Sequence, residues 1–332
     1  MTLQPDKARG GDPGFPRLAF AAAMVTLLMI VIGAITRVTE SGMGCGPYWP
    51  SCNGHLIPEF EDITVVIEYG HRLFALVVGV FAVLVGVRAW RHYRDQPRVL
   101  YPAMIGLVLF FVQSGLGAIS VALYNAWVSV MLHMGNSMFL LAAYLITWIN
   151  ARSANAESPA ALIGSARARI MLPPAEVMLA TALSFIVAMV GAAVAGTNAT
   201  KACVGWPLCD GAIWPADQGP LQMVHMLHRL VAGALGLMLL FMLFQVRGGA
   251  SRLMQTALLV ALGLYLSQAT LGALIVFIDD RDWLTVTRAL HVVFAASTWA
   301  ALIVASTVSW LQLSPSVSGR APAAAGASSA TT

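Results

Sequence analysis

Four histidines in this chain fall into two aligned pairs. Glu68-Tyr69-Gly70-His71-Arg72-Leu73 is answered by His225-Met226-Leu227-His228-Arg229-Leu230, with the His-Arg-Leu triplets 228 − 71 = 157 positions apart, and Leu132-His133 is answered by Leu290-His291. The residues around them repeat at nearly the same offset. Trp49-Pro50-Ser51-Cys52-Asn53-Gly54 matches Trp206-Pro207-Leu208-Cys209-Asp210-Gly211, and Cys45 matches Cys203. Further on, Gln113-Ser114-Gly115-Leu116-Gly117-Ala118 matches Gln268-Ala269-Thr270-Leu271-Gly272-Ala273. Each half therefore carries Cys, Cys, His, His in one order, the mark of a tandem duplication with paired sites.

Imidazoles on two different helices are a usual axial pair for haem iron in a helical bundle. His71 with His133, and His228 with His291, thus read as two bis-histidine haem sites. A lone His in a membrane helix is more often an interhelical hydrogen bond, but four at duplicated positions favour ligation. Zinc fits less well, because no third nitrogen, sulfur or carboxylate ligand is common to both halves. His55 and His92 have no counterparts and read as surface residues. His225 shares a helix face with His228, yet it aligns with Glu68, so His228 is the expected ligand.

The Glu68/His225 difference is where the halves diverge. It suggests that the first site does chemistry while the second holds a cofactor. A carboxylate one turn from His71 can move protons or stabilise developing positive charge. The competing reading is a Glu in water at the membrane surface. Arg72 and Arg229 follow the ligands and are candidate contacts for haem propionates, with snorkelling toward lipid headgroups as the equal alternative. Arg37 and Arg288 carry the same ambiguity.

All four cysteines lie in two loops, as Cys45/Cys52 and Cys203/Cys209. In an oxidising outer compartment the expectation is one disulfide per loop. A thiol pair that cycles between redox states is the sharper alternative, best placed at Cys45/Cys52, and free buried thiols are the third.

The elements that position these residues follow from composition. Of 332 residues 58% are apolar and only 10% charged, against roughly 25% charged in soluble domains. Eight apolar stretches can be drawn: Leu18 to Ile35, Ile63 to Trp90, Val99 to Val121, Val128 to Ile149, Val177 to Ala195, Leu221 to Val246, Leu253 to Ile278 and Leu284 to Trp310. Each is long enough to cross a bilayer as a helix. The first pairs with the fifth (Ile32-Gly33-Ala34 against Val190-Gly191-Ala192), so it belongs to the fold and is not a signal peptide. The predicted architecture is an all-α integral membrane protein of eight helices in two tandem pseudo-symmetric four-helix bundles.

Charge sets the orientation. Lys7, Arg9, Arg17, Arg91, Arg94, Arg98, Arg152, Arg167, Arg169, Arg247 and Arg252 cluster on one set of loops, while the opposite loops hold Glu40, Glu59, Glu61, Asp62, Asp210, Asp217, Asp279, Asp280 and Asp282. The positive-inside rule then places both termini in the cytoplasm and the histidines near the outer face. The net charge of +4 reflects this topology and not nucleic-acid binding. The expected organisation is a disordered N-terminus (1–16), a first bundle (17–149), a cytoplasmic linker (150–176), a second bundle (177–310) and a disordered tail (311–332).

Glu68-x-x-His71-Arg72, Cys45, Cys52, His133, Cys203, Cys209, His228-Arg229 and His291 over eight spans together resemble the haem A synthase family of bacteria, which has mitochondrial relatives. The resemblance covers roughly residues 18 to 310. It implies an oxidoreductase that converts the C8 methyl of haem O, by successive hydroxylations, to the formyl group of haem A for cytochrome oxidase. It further implies haem O on His71 and His133, a b-type haem on His228 and His291, and Glu68 as the catalytic carboxylate. Cys45 and Cys52 match the family's first-loop pair, while cysteines in both loops fit only some branches. Implied partners are haem O synthase, cytochrome oxidase assembly factors, an electron donor and the lipid of a bacterial cell membrane. Three other readings compete: a quinol-linked di-haem b-type electron carrier, a haem transporter or assembly chaperone, and, more distantly, a disulfide-handling oxidoreductase.

Overall fold

The computed structural model describes residues 12–155, 174–246 and 252–312. Within them run eight long helices: α1 (Phe15–Val38), α2 (Ile63–His92), α3 (Pro97–Ala122), α4 (Trp127–Ala154), α5 (Pro174–Gly196), α6 (Pro220–Val246), α7 (Arg252–Phe277) and α8 (Arg281–Gln312). All eight are long and apolar enough to cross a membrane, and the protein is a multi-pass membrane protein. Their exposed faces are apolar too, as at Leu76 and Leu237, 66% and 72% exposed, which suits a lipid surround.

Local signals explain the helix ends. Proline stands in the first turn of α1 and α3, where its missing N–H costs nothing. Asp62 caps α2 by accepting the Thr64 N–H at 2.8 Å. Pro102 inside α3 cannot bond back to the carbonyl of Arg98, and Asn150 of α4 donates to that carbonyl instead at 2.6 Å. The interruption is thereby satisfied by a neighbouring helix.

Consecutive helices pack on one another within α1 to α4 and within α5 to α8, and each set closes through α1 on α4 and α5 on α8. Consequently α2 and α4, and α6 and α8, stand diagonally. The sets meet where α4 packs on α5 and α8, and α1 on α8. At that seam Trp299 of α8 donates its indole N–H to the Met138 carbonyl at 3.0 Å. Its ring also meets those of Phe139 and Phe185. Ala296, Trp299 and Ile303 accordingly belong to the core of the first set.

Two expectations need correction. Residues 12–16 are not a disordered N-terminus: Phe15 is fully buried, and Asp12 pairs with Arg88 and accepts from Asn155 and Tyr93. These buried polar partners supply the ordering that composition alone did not suggest. Helix α4 also continues past Ile149 to Ala154, into the stretch assigned to the linker, and α5 begins there at Pro174. Lys7, Arg9, Arg167, Arg169, Arg247, most of the linker and the tail beyond 312 lie outside the described residues.

Candidate functional site

His71, His133, His228 and His291 sit 8, 6, 8 and 10 residues from the first residues of α2, α4, α6 and α8, by subtraction of the helix starts. At 1.5 Å per residue they occupy one layer, roughly 9–15 Å down each helix. The diagonal placement of those helices turns each pair toward a bundle interior.

The second pair is fixed from behind. His228 Nδ1 lies 3.1 Å from the Val187 carbonyl and His291 Nδ1 lies 2.9 Å from the Gln268 carbonyl. A carbonyl partner makes Nδ1 the protonated nitrogen and leaves the Nε2 lone pair for a ligand. The two ring centroids are 6.3 Å apart. Two metal–nitrogen bonds of ~2 Å, with the two half-rings, span about that distance. The donor set and its spacing fit a haem iron.

The first pair is held differently. His133 Nε2 lies 3.0 Å from the side-chain nitrogen of Gln113, whose Oε1 accepts from Asn136 at 2.7 Å. The Gln113 backbone is also placed against His133, but Nδ1 is buried without reaching a hydrogen bond.

Each of the four histidines packs on a glycine of a neighbouring helix. A Cβ at Gly33, Gly117, Gly191 or Gly272 would stand 3.4 Å from His71 Nε2, 3.3 Å from His133 Cε1, 2.9 Å from His228 Cε1 or 3.0 Å from His291 Cε1. Sequence reasoning used these glycines to align the halves and missed what they do. The signal was present, since each lies in a repeated stretch one helix away from its histidine.

Glu68 is 3% exposed, so the water-exposed reading is overturned. Its Oε2 accepts the Cys45 N–H at 2.8 Å and its Oε1 takes Arg72 Nη2 at 2.5 Å. Arg72 Nη1 donates to the carbonyls of Tyr48 and Ser51. Arg229 does the same in the second half, to Pro207 and Leu208, while its Nη2 is buried with no partner. Both arginines therefore brace the loops above them. His225, in the place of Glu68, is 6% exposed, and its Nδ1 is buried without a hydrogen-bond partner among the described residues. Of the two aligned residues it is Glu68 that ties its loop to its helix, through the Cys45 N–H.

Those loops are built alike. Disulfides join Cys45 to Cys52 and Cys203 to Cys209. Asn53 and Asp210 adopt left-handed φ of 51° and 48°, followed by Gly54 and Gly211 at 85° and 83°, a turn that Asn-Gly and Asp-Gly favour. His55 is exposed at the end of the first loop and His92 at the end of α2, as expected of surface residues. In the second half Lys201 bonds the Ile278 carbonyl and Asp279. That ammonium holds the Asp279 carboxyl below its ordinary range, by hydrogen bond first and charge second. A separate cavity of about 230 Å³ opens where the C-terminal end of α1 meets the N-terminal end of α8, lined by Glu40, Arg281, Asp282 and Arg288 among others, and contains none of the histidines.

Eight membrane helices with paired, diagonally opposed histidines define a membrane protein built around two imidazole pairs. Residues 16–303 match the family described as cytochrome oxidase assembly protein, and the chain belongs to that family. Among curated relatives, the heme A synthase of Shouchella clausii is 32% identical over 266 residues, 79% of this chain and 87% of its own length. The heme A synthase of an Exiguobacterium species is 31% identical over 263 residues, covering 78% and 83%, and that of Geobacillus kaustophilus is 30% identical over 278 residues, covering 82% and 86%.

Proposed function

We propose that the protein is a haem A synthase that oxidises the C8 methyl of haem O, through successive hydroxylations, to the formyl group of haem A for a cytochrome oxidase. The observation that carries this reading beyond the family is the buried Glu68 one turn before His71, at the position where the other half has His225. One half keeps an anion beside its imidazole pair and the other does not. In this reading His71 and His133 hold haem O as substrate, while His228 and His291 hold a resident haem b.

Haem b, when bound, supplies a one-electron redox centre. The chain's own residues do the rest. The Val187 and Gln268 carbonyls keep His228 and His291 in one tautomer and orientation. Arg229 Nη2, a buried donor without a protein partner, remains for a haem carboxylate. Glu68 accepts or returns a proton at Oε1, the oxygen already bonded to Arg72, or stabilises positive charge developing on the substrate carbon. The disulfide loops sit over the histidine layer and limit water there. The basic loops face the cytoplasm, so both termini are inside and the histidines lie toward the outer face. Each set of four helices is one bundle of a tandem pair. Haem O arrives from its synthase, and the product passes to oxidase assembly factors.

The test is to extract and identify by mass spectrometry the haems on protein purified from cells that make haem O, comparing wild type with Glu68→Ala. The expected result is haem A or its hydroxylated precursor on the wild type and unmodified haem O on the variant. Only b-type haem on both, with haem O confirmed in the cells, would replace this reading with a di-haem electron carrier.

A further inference from the structure

The two halves hold their second histidine by different atoms. In the second half, His291 Nδ1 is bonded to a backbone carbonyl, and among the described residues no hydrogen bond reaches Nε2. In the first half, the side-chain amide of Gln113 lies on His133 Nε2 itself. The orientation of that amide is set from outside: Asn136 Nδ2 donates to Gln113 Oε1 at 2.7 Å and to the Leu109 carbonyl at 3.0 Å. With Oε1 committed as an acceptor, the Gln113 NH2 group points at His133, so His133 Nε2 accepts and its proton belongs on Nδ1. Gln113 therefore covers the lone pair that an iron would use.

Gln268 is the counterpart of Gln113 in the repeat, but the residue that aims the amide has no counterpart. At the histidine offset of 291 − 133 = 158, Asn136 corresponds to 136 + 158 = 294, which is Phe294. An apolar ring cannot orient an amide. The asparagine that aims the masking amide is thus written into one half only.

We propose that Gln113 and Asn136 make the first haem site exchangeable: when His133 leaves the iron, the Gln113 amide takes over its Nε2. Buried imidazole nitrogen is costly to strand without a partner. Gln113 removes that cost on release and adds an equal opposing cost on binding. In the second half no such substitute lies on His291 Nε2 among the described residues, so the iron stays. The inference rests on the reading above in which the first site turns over substrate and the second keeps its cofactor. It adds that the chain itself encodes the difference in residence time.

The experiment uses full-length protein loaded with haem in detergent and follows, by absorbance, transfer of haem to excess apomyoglobin. Wild type should lose haem in two phases, with His133→Ala removing the fast one. In Gln113→Leu the fast phase should slow about fivefold, the weight of one neutral hydrogen bond in competition. Asn136→Leu, which frees the amide while keeping Gln113, should slow it by a smaller factor. Gln268→Leu should leave the fast phase unchanged. A fast phase that is unaltered or quicker in Gln113→Leu and Asn136→Leu, or loss of first-site haem in both, would overturn the proposal. One haem per wild-type chain would instead remove the two-site reading beneath it.

Discussion

Glu68 Oε2 accepts the backbone N–H of Cys45 at 2.8 Å, so the carboxylate one turn before His71 is bonded directly to the disulfide loop above it. The same group pairs with Arg72, which braces the loop through Tyr48 and Ser51. Chemistry and loop architecture therefore meet in one side chain, and substitutions can separate them. Glu68→Gln keeps an acceptor for Cys45 but loses the anion. It should retain the disulfide and the bound haem count while product formation falls by about a hundredfold or more, the usual range for a lost acid–base group. Glu68→Ala should in addition destabilise the loop by ~1–3 kcal/mol, because the Cys45 N–H is left buried and unpaired. Haem extraction reads the first effect and thermal unfolding the second.

The Cys45–Cys52 bridge closes a short loop, with a sequence separation of 7. By chain entropy such a closure is worth ~2–3 kcal/mol. Replacing both residues by serine should leave the helices intact and make the Gly46 to Ser51 segment the first point of cleavage in limited proteolysis. Equal resistance in wild type and variant would show that Arg72 and Glu68 hold the loop unaided.

The glycine contacts predict a graded series. Gly191→Ala and Gly272→Ala force a methyl to within 2.9 and 3.0 Å of their histidine rings, against 3.4 and 3.3 Å for Gly33→Ala and Gly117→Ala. Overpacking of this kind costs ~1–3 kcal/mol. Second-half substitutions should therefore perturb the low-spin haem spectrum and lower haem content, while first-half ones change both less. The reverse order would contradict the packing.

Lys201 and Asp279 tie the loop between α5 and α6 to the turn between α7 and α8. Because the folded Asp279 carboxyl is held below its usual range by the ammonium, the tie is complete above about pH 4 and is lost as pH falls through the lower folded value. At a fixed pH of 7, where the tie is complete, acylation of Lys201 should be faster in Asp279→Asn than in wild type, because the ammonium has lost its carboxylate partner. Both residues stand partly or fully in water, so thermal stability should barely respond.

The outline of the fold was legible because lipid makes apolar length decisive. The eight stretches drawn from composition each fall on one helix, Ile278 alone lying a residue past the end of α7, and only ends moved, as at Ala154 and Pro174. The histidines could be paired by alignment, since His-Arg-Leu and Leu-His recur at nearly constant offset. The cysteine partners followed from compartment and loop, and the two disulfides are present. Membership of the family was legible in the same residues.

What alignment could not supply was direction. Letters 157 or 158 positions apart name the same slot in each half, yet only packing decides which atom of the slot is used. Gln113 and Gln268 are identical in sequence, but the Gln113 side-chain amide lies on His133 Nε2, whereas Gln268 meets His291 Nδ1 through its backbone carbonyl, and Asn136, which holds the Gln113 amide, is matched by Phe294. Gly33 and Gly191 look like spacers until their neighbours' imidazoles are found against them. Thus periodicity and hydropathy determined the spans, the duplication and the candidate ligands by themselves. The orientation of each imidazole, the burial of Glu68 and the bracing of the loops were decided only in tertiary structure, because hydrogen bonds and close contacts between helices depend on residues far apart in the chain.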